Sequence, residues 1–552
     1  MSGDELVGDI SLTEKRTGLR CTAAPKNESM KLPLAKASLC GLVLSALPLR
    51  AADSDLQVTT DHGIVQGKTQ EDVRAFLGIP FAAPPVGERR WQPPQPATKW
   101  DGVRPATEFG PRPMQPTIYK DMIFRDPGGS EDCLSLNVWT PAKTANAKLP
   151  VMVWIFGGGF LAGGTSEPRQ DGSHLAGRGV VVVSMNYRLG LFGFFVHPDL
   201  IKESPQHAAG NYGLMDQLAA LRWVKANIAA FGGDPANVTI FGESAGSASV
   251  SAQMASPLAK GFLQKAIGES GALAFIGGGP GQKPLAIRAA DDAELLGKAT
   301  GETALAGLRA LSAQALLDAV AKAPGTGGIR FGPNVDGHFL PETMAAIFAA
   351  GKQNDVPLLA GWNHDEQGLA LGGKVPPMEA MQKTAHDEFG TYAEEFLRLY
   401  PSGTPEQAAR SGAELAADRF IAFGTWAWLE AQAKAGHQPV YRYRFERAPP
   451  TDFFGKKERG AYHSADILYV FGSFDAQPQV PWETADHTAS ERTQAYWTNF
   501  ARTGNPNGPG LPSWPAYSPS AGAQVMYLDA SPAARPDDFR DRYLFLDRVW
   551  KK

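Results

Sequence analysis

The chain has 552 residues, 43% of them apolar and 20% charged, an ordinary globular balance with ample material for a large core. A formal net charge of −4 gives no electrostatic footprint for nucleic acid or an anionic membrane, so neither is expected as a partner. The 60 Gly and 43 Pro residues point to many loops between short elements, and no repeat at solenoid or propeller spacing recurs.

Residues 1–29 are polar and are expected to be an unstructured upstream extension, either a start-site artefact ahead of Met30 or an atypical leading segment. From Met30 the chain reads as an address: Lys31 and Lys36, then the apolar run Ala37 to Leu49, then Arg50, Ala51 and Ala52. A basic start, a short apolar run and small closing residues make a secretory signal peptide over 30–52. The run is too short to span a bilayer, so stable membrane insertion is not expected and the location is secreted or periplasmic. Cys21 and Cys40 fall in the segment expected to be lost, the extension and the leader, which leaves Cys133 alone and no intramolecular disulfide. No Ser/Gly- or Pro-rich linker interrupts residues 53–552, which are expected to form one domain.

Val151–Phe156 and Val180–Met185 are short β-branched-rich runs, suited to strands buried on both faces of a parallel sheet. Between Asn211 and Ala230, Leu214, Leu218, Leu221, Val224 and Ile228 recur at helical spacing, and Gly232-Gly233 closes the segment. Val238–Phe241 and Val356–Ala360 are strand-like. Val440–Phe445 alternates large and charged residues, which suits a strand nearer the sheet edge. Residues 280–330 and 375–435 read as helical insertions. Alternating strands and helices imply a mostly parallel sheet flanked by helices.

The chemistry centres on Gly242-Glu243-Ser244-Ala245-Gly246, a G-x-S-x-G directly after a strand and before a probable helix. Such a turn raises a serine hydroxyl above the sheet, near the positive end of the helix. Gly157-Gly158-Gly159-Phe160 follows the strand ending at Phe156, and its N–H groups suit an oxyanion formed during acyl transfer. In that reading Gly158, Gly159 and Ala245 supply the oxyanion hole. Glu243 is read as a buried structural member of an ion pair. With ten histidines, residue types alone leave the base ambiguous. No metal-ligand spacing, phosphate loop or dinucleotide fingerprint is present, so no metal or cofactor is implied.

Several segments carry a resemblance: Gly78–Gly87, Glu131–Leu134, Gly210–Gln217, and Phe231–Pro235 running on to Gly246. On these the chain resembles the type-B carboxylesterase/cholinesterase family over 54–550. The resemblance implies an α/β-hydrolase fold, a mostly parallel central sheet flanked by helices, with helical insertions capping the active site. It also implies hydrolysis of carboxylic esters through an acyl-enzyme. The family's acid segment is matched by Gly361-Trp362-Asn363-His364-Asp365-Glu366-Gln367, giving Glu366 the acid position, with Gln367 where Gly is usual and Asp365 as an alternative. The base segment is matched by Gly460–Asp466, giving His463 the base position and Ser464 in place of Gly. His364 and His338 are the competitors. Cys133 matches a family disulfide position whose partner position is Pro113, so that bridge is absent and the loop before Glu131 is expected to be less restrained.

The partner expected is a small-molecule ester. The loop Pro116–Gly129 holds Tyr119 and Phe124 but no Trp, which disfavours choline esters. Residues 328–333 resemble the acyl-pocket stretch, so Phe160, Arg330 and Phe331 are candidate pocket residues. Arg330 reads first as a solvated or structurally paired arginine, with pairing to a polycarboxylic acyl group as the functional alternative; xenobiotic or mycotoxin esters are further candidates. The alternatives are a lipase-like interfacial esterase and a non-catalytic binding module. Oligomeric state is not legible in the sequence.

Overall fold

The structure, a computed structural model, describes residues 56–273, 283–322, 331–366, 378–457, 460–520 and 522–550. The expected leader at 30–52, the extension before it, and Arg330 and Gln367 lie outside the described residues. The described residues belong to one unit, Arg50–Lys552.

An eleven-stranded sheet organises this unit. In chain order its strands are β1 (Lys68–Gln70), β2 (Val73–Pro80), β3 (Ser135–Thr140), β4 (Leu149–Ile155), β5 (Val181–Met185), β6 (Gly233–Glu243), β7 (Lys265–Glu269), β8 (Leu358–Asn363), β9 (Val440–Phe445), β10 (Gln524–Leu528) and β11 (Ala533–Pro536). Their spatial order is β11-β10-β9-β8-β7-β6-β4-β5-β3-β2-β1. From β5 to β10 every neighbouring pair is parallel, and the flanking pairs are antiparallel. This is the α/β-hydrolase arrangement, with helices on both faces of the sheet. The Val/Ile/Leu-rich strands β5 and β8 are buried along their whole length, as a sheet covered on both faces requires. Trp154 packs at 4.9 Å against both Phe241 and Phe471, tying neighbouring strands to the helix Asp466–Phe471.

The helix expected over 211–230 runs Tyr212–Asn227 and continues as a short 3-10 turn. The insertions are helical at Leu285–Thr300, Leu305–Ala310 and Ala313–Lys322, and again at Met378–Phe389, Ala393–Leu399, Pro405–Ala417 and Phe423–Ala435. The strand expected at 356–360 begins later and extends to Asn363, because Pro357 cannot donate to a ladder.

One expectation holds only in part. Val440–Phe445 lies toward the sheet edge, third from the end, yet all six of its residues are buried. Its charges misled, because each finds compensation inside. Arg442 pairs with buried Asp537 and lies 4.6 Å over the Trp362 ring. Arg444 lies 4.1 Å over Phe539 and reaches Glu446 at 3.1 Å. A buried charge that loses its partner is strongly destabilising. Arg442→Met should therefore cost about 3–5 kcal/mol in urea unfolding by stranding Asp537, and pairing it with Asp537→Leu should recover much of that.

Candidate active site

Parallel α/β sheets place ligands outside the C-terminal ends of their strands, where the winding direction reverses. Here the reversal is at β4, with β5 on one side and β6 on the other. Gly157–Gly159 leave the end of β4, and Ser244 leaves the end of β6. Glu366 follows β8, and His463 follows β9 after a longer excursion.

Ser244 has φ 56° and ψ −120°, a strained conformation for a side chain with a Cβ. It is pinned on both sides: its N–H donates to the Glu269 carbonyl at 2.8 Å, and its carbonyl accepts from Ala248 at 2.9 Å. The helix Ala245–Ala255 begins at once and is buried throughout. This start is possible only because position 246 is glycine: a Cβ there would sit 1.9 Å from the Ile155 carbonyl oxygen.

His463 Nε2 lies 2.9 Å from Ser244 Oγ, and His463 Nδ1 lies 2.5 Å from Glu366 Oε2. Glu366 Oε1 accepts from the Asn363 N–H at 2.7 Å, which fixes the carboxylate's plane. Asp365 instead accepts from the Ala461 N–H at 2.9 Å, so it braces the base-bearing loop rather than touching the imidazole. His364 is paired with Glu446 at 2.6 Å, and the His338 N–H donates to Asp336; neither meets Ser244. Ser464, where the family resemblance expects Gly, adopts φ 69°, so the glycine-type turn persists with a Cβ in it.

In the loop after β4, Gly158 has φ 102°, and a Cβ there would lie 2.0 Å from the Ala162 carbonyl oxygen. Gly159 and Phe160 also have positive φ. The hydrogen bonds among the described residues leave the N–H groups of Gly158, Gly159 and Ala245 without a protein acceptor. Met122 and the Tyr119 hydroxyl approach Gly158 and Gly159 from the loop before Glu131. Phe160 and Phe331 are both buried, packed edge-on against Phe194 and Phe195 respectively.

Four residues not singled out from the sequence as site members complete the surroundings. The Asn363 side-chain amide donates to the Tyr462 carbonyl at 2.8 Å and to Asp466 at 3.0 Å, tying the end of β8 to the histidine loop. Glu269 accepts from the Trp497 indole at 2.7 Å. The Phe420 ring stands edge-on to the His463 imidazole, with centroids 4.9 Å apart. The only sequence trace of Asn363 and Asp466 is their spacing of three from Glu366 and His463; Glu269 and Phe420 leave none. Glu243, read from the sequence as structural, is also in direct contact: its Oε1 lies 3.2 Å from His463 Nε2.

Charge is therefore dense. Burial pushes Glu243 up to about 8, and burial with the neighbouring Glu366 charge pushes Asp466 up to about 6. Burial likewise holds Glu269 well above the usual carboxylate range. Burial works against the charged form of His463, yet the Glu243 and Glu366 carboxylates outweigh it and raise the imidazole to about 9. Cys133 is buried and free, and burial pushes its thiol far up, so it is inert as a nucleophile. Among the described residues no group of His, Cys, Asp or Glu is arranged to hold a metal.

An imidazole serving as a base works only when deprotonated, so if His463 has that role its raised pKa moves the rising limb of activity to higher pH. Glu243→Gln removes the largest of the three carboxylate charges, those of Glu243, Glu366 and Asp466, that raise it. The rising limb of kcat/KM should then move to lower pH by about one unit, as read from a pH–rate profile.

The Carboxylesterase family profile matches residues 54–543. A fumonisin B1 esterase of Sphingopyxis macrogoltabida is 36% identical over 488 residues, covering 86% of this chain and 87% of its own. The para-nitrobenzyl esterase of Bacillus subtilis is 38% identical over 486 residues, covering 86% and 94%. A crystal structure of the Geobacillus stearothermophilus carboxylesterase superposes with TM-score 0.76 at 35% identity, covering 90% of this chain and 100% of that one. The chain belongs to the carboxylesterase family and is a carboxylic ester hydrolase.

Proposed function

We propose that this carboxylesterase-family chain cleaves esters by a two-step acyl transfer on Ser244, with His463 as base and Glu366 as the acid partner. The observation that carries this reading is the continuous contact from Ser244 Oγ through the imidazole to the Glu366 carboxylate. A serine hydroxyl is a weak nucleophile at neutral pH and needs a base within hydrogen-bond reach. His463 takes the hydroxyl proton as Oγ attacks the ester carbonyl. The carbonyl oxygen becomes an oxyanion held by the N–H groups of Gly158, Gly159 and Ala245. His463 then gives the proton to the leaving alkoxide, and an acyl-enzyme remains on Ser244. Water, deprotonated by the same imidazole, releases the acid. Glu366 keeps the imidazole in its working tautomer and stabilises its cation without itself becoming protonated.

On the substrate side, Phe160 and Phe331 are proposed as pocket walls that a bound acyl group would meet. Polycarboxylic, xenobiotic and mycotoxin esters are the proposed substrate classes, supported by relatives named for fumonisin B1 and para-nitrobenzyl esters. The non-catalytic reading is disfavoured by the intact contact between all three side chains. The lipase-like reading expects a jump in rate above the substrate's solubility limit. No helix among the described residues is long and apolar enough to cross a membrane. Residues 30–52 are proposed as a cleaved leader of a single catalytic domain, and N-terminal sequencing of exported protein should find a start near residue 53.

A p-nitrophenyl ester series from acetate to palmitate tests the chemistry. Wild type should turn over the short-chain members, and Ser244→Ala should lower kcat by on the order of 10⁵–10⁶-fold while folding normally. A mutant that retains wild-type turnover would sink the assignment of the nucleophile.

A further inference from the structure

We propose that Phe420 is the wall against which the alcohol portion of the ester lies, and so a specificity-determining residue; this rests on the reading of His463 as the base.

Phe420 sits in a stretch that breaks helical regularity. Pro405–Ala417 and Phe423–Ala435 form one helical run joined by a single π turn, Asp418–Ala422, in which the Phe423 N–H reaches back to the Asp418 carbonyl. A π turn adds one residue to the helix and is frequent at functional sites. The extra residue rotates everything after it by about 100° relative to a regular helix. Asp418, at the start of the turn, is firmly anchored: it accepts from the Tyr400 hydroxyl at 2.6 Å and pairs with Arg542 at 2.9 Å. Two residues on, Phe420 has no comparable burial. It is 48% exposed, yet its ring is set edge-on to the imidazole.

Core packing does not account for that placement, because half of the ring faces outward. The chemistry does. The leaving oxygen must come within hydrogen-bond reach of His463 Nε2 to receive its proton. The carbonyl oxygen of the same ester points the other way, toward Gly158, Gly159 and Ala245. A ring in contact with the imidazole therefore borders the carbons attached to the leaving oxygen, not the acyl chain. An apolar or aromatic alcohol gains a face to pack on there, and a methyl or ethyl group is too short to use it.

The test compares two ester series in wild type, Phe420→Ala and Phe420→Leu, with melting temperatures measured alongside. The first series varies the alcohol at fixed acyl group, methyl acetate against benzyl acetate. The second varies the acyl group at fixed alcohol, p-nitrophenyl acetate against butyrate. In Phe420→Ala the benzyl-to-methyl ratio of kcat/KM should fall about tenfold, with the melting temperature close to wild type. The acyl ratio should stay within about twofold, and Phe420→Leu should retain part of the benzyl preference. An unchanged benzyl-to-methyl ratio, or an effect confined to the acyl series, overturns the proposal. Loss of methyl acetate turnover in a folded Phe420→Ala protein also overturns it, because the ring would then be positioning His463. Ser244→Ala run on the same esters checks the premise separately: if it stays active while the Phe420 ratios shift as expected, the nucleophile assignment fails and the wall stands.

Discussion

The site depends on one close approach. The helix Ala245–Ala255 starts so near the end of β4 that the Ile155 carbonyl occupies the space where a side chain at position 246 would stand. That contact lets the chain reverse from strand to helix within a single residue, and Ser244 takes up the strain of the reversal. The strain is not isolated. Phe160, Ser244, Ser270 and Ser464 all have positive φ, and each belongs to a loop at the site. Such conformations cost about 1–3 kcal/mol each and persist only where surrounding contacts over-determine them. Here the surroundings do: the Ser270 N–H donates to the Gly361 carbonyl, and the Gly190 N–H donates to the Phe160 carbonyl. The sheet thus works as a rigid edge from which strained loops project toward one point.

The second constraint is electrostatic. Glu243, Glu366 and Asp466 are buried around a single imidazole, and Glu269 is buried where it feels the charges of Glu243 and Asp466. They cannot all be ionised without compensation, and burial duly raises three of them. Glu366 is held by the Asn363 N–H and lies against Nδ1, where its charge favours the protonated imidazole. Glu243 faces the other nitrogen, the one 2.9 Å from Ser244 Oγ, and its charge acts in the same direction. Asn363 links the two sides: its backbone orients the acid while its amide holds Asp466 and the histidine loop. Glu366 and the loop bearing His463 are thereby fixed relative to each other by one residue.

How much of this the sequence displays follows from where each contact originates. The nucleophile turn, the glycine loop and the alternating strands are local patterns, so they are readable without a fold. The acid and base positions are readable only through resemblance, since nothing local separates Glu366 from Asp365 or His463 from His364. Their separation is geometric: Asp365 turns to the Ala461 N–H, and His364 turns to Glu446. Glu243 looked structural because its contact with His463 joins residues far apart in the chain. Phe420 is less legible still, since a π turn has no sequence signature and an exposed Phe in a helix looks like ordinary surface. The partial misreading of β9 has the same root. Alternating arginines suggest solvent, and only the tertiary packing of Trp362, Phe539 and Asp537 makes room for them inside.

The loop before Glu131 is held without a covalent bridge. Pro113 and Cys133 line one small cavity, and Cys133 is free. The loop is nonetheless restrained, by polar contacts in place of a covalent one. Arg112 pairs with Asp126 at 2.6 Å, the Ser166 hydroxyl donates to the same carboxylate, and Arg125 pairs with Asp171 at 2.9 Å. Gln115 adds hydrogen bonds to both the N–H and the carbonyl of Gly163. Asp126 and Asp171 are buried, where salt screens an ion pair far less than at the surface. These contacts grip residues 163–171, immediately after the glycine loop, and hold Met122 and Tyr119 against that loop from outside. The glycine loop is thus braced from outside by a segment that is itself held by ion pairs and side-chain hydrogen bonds.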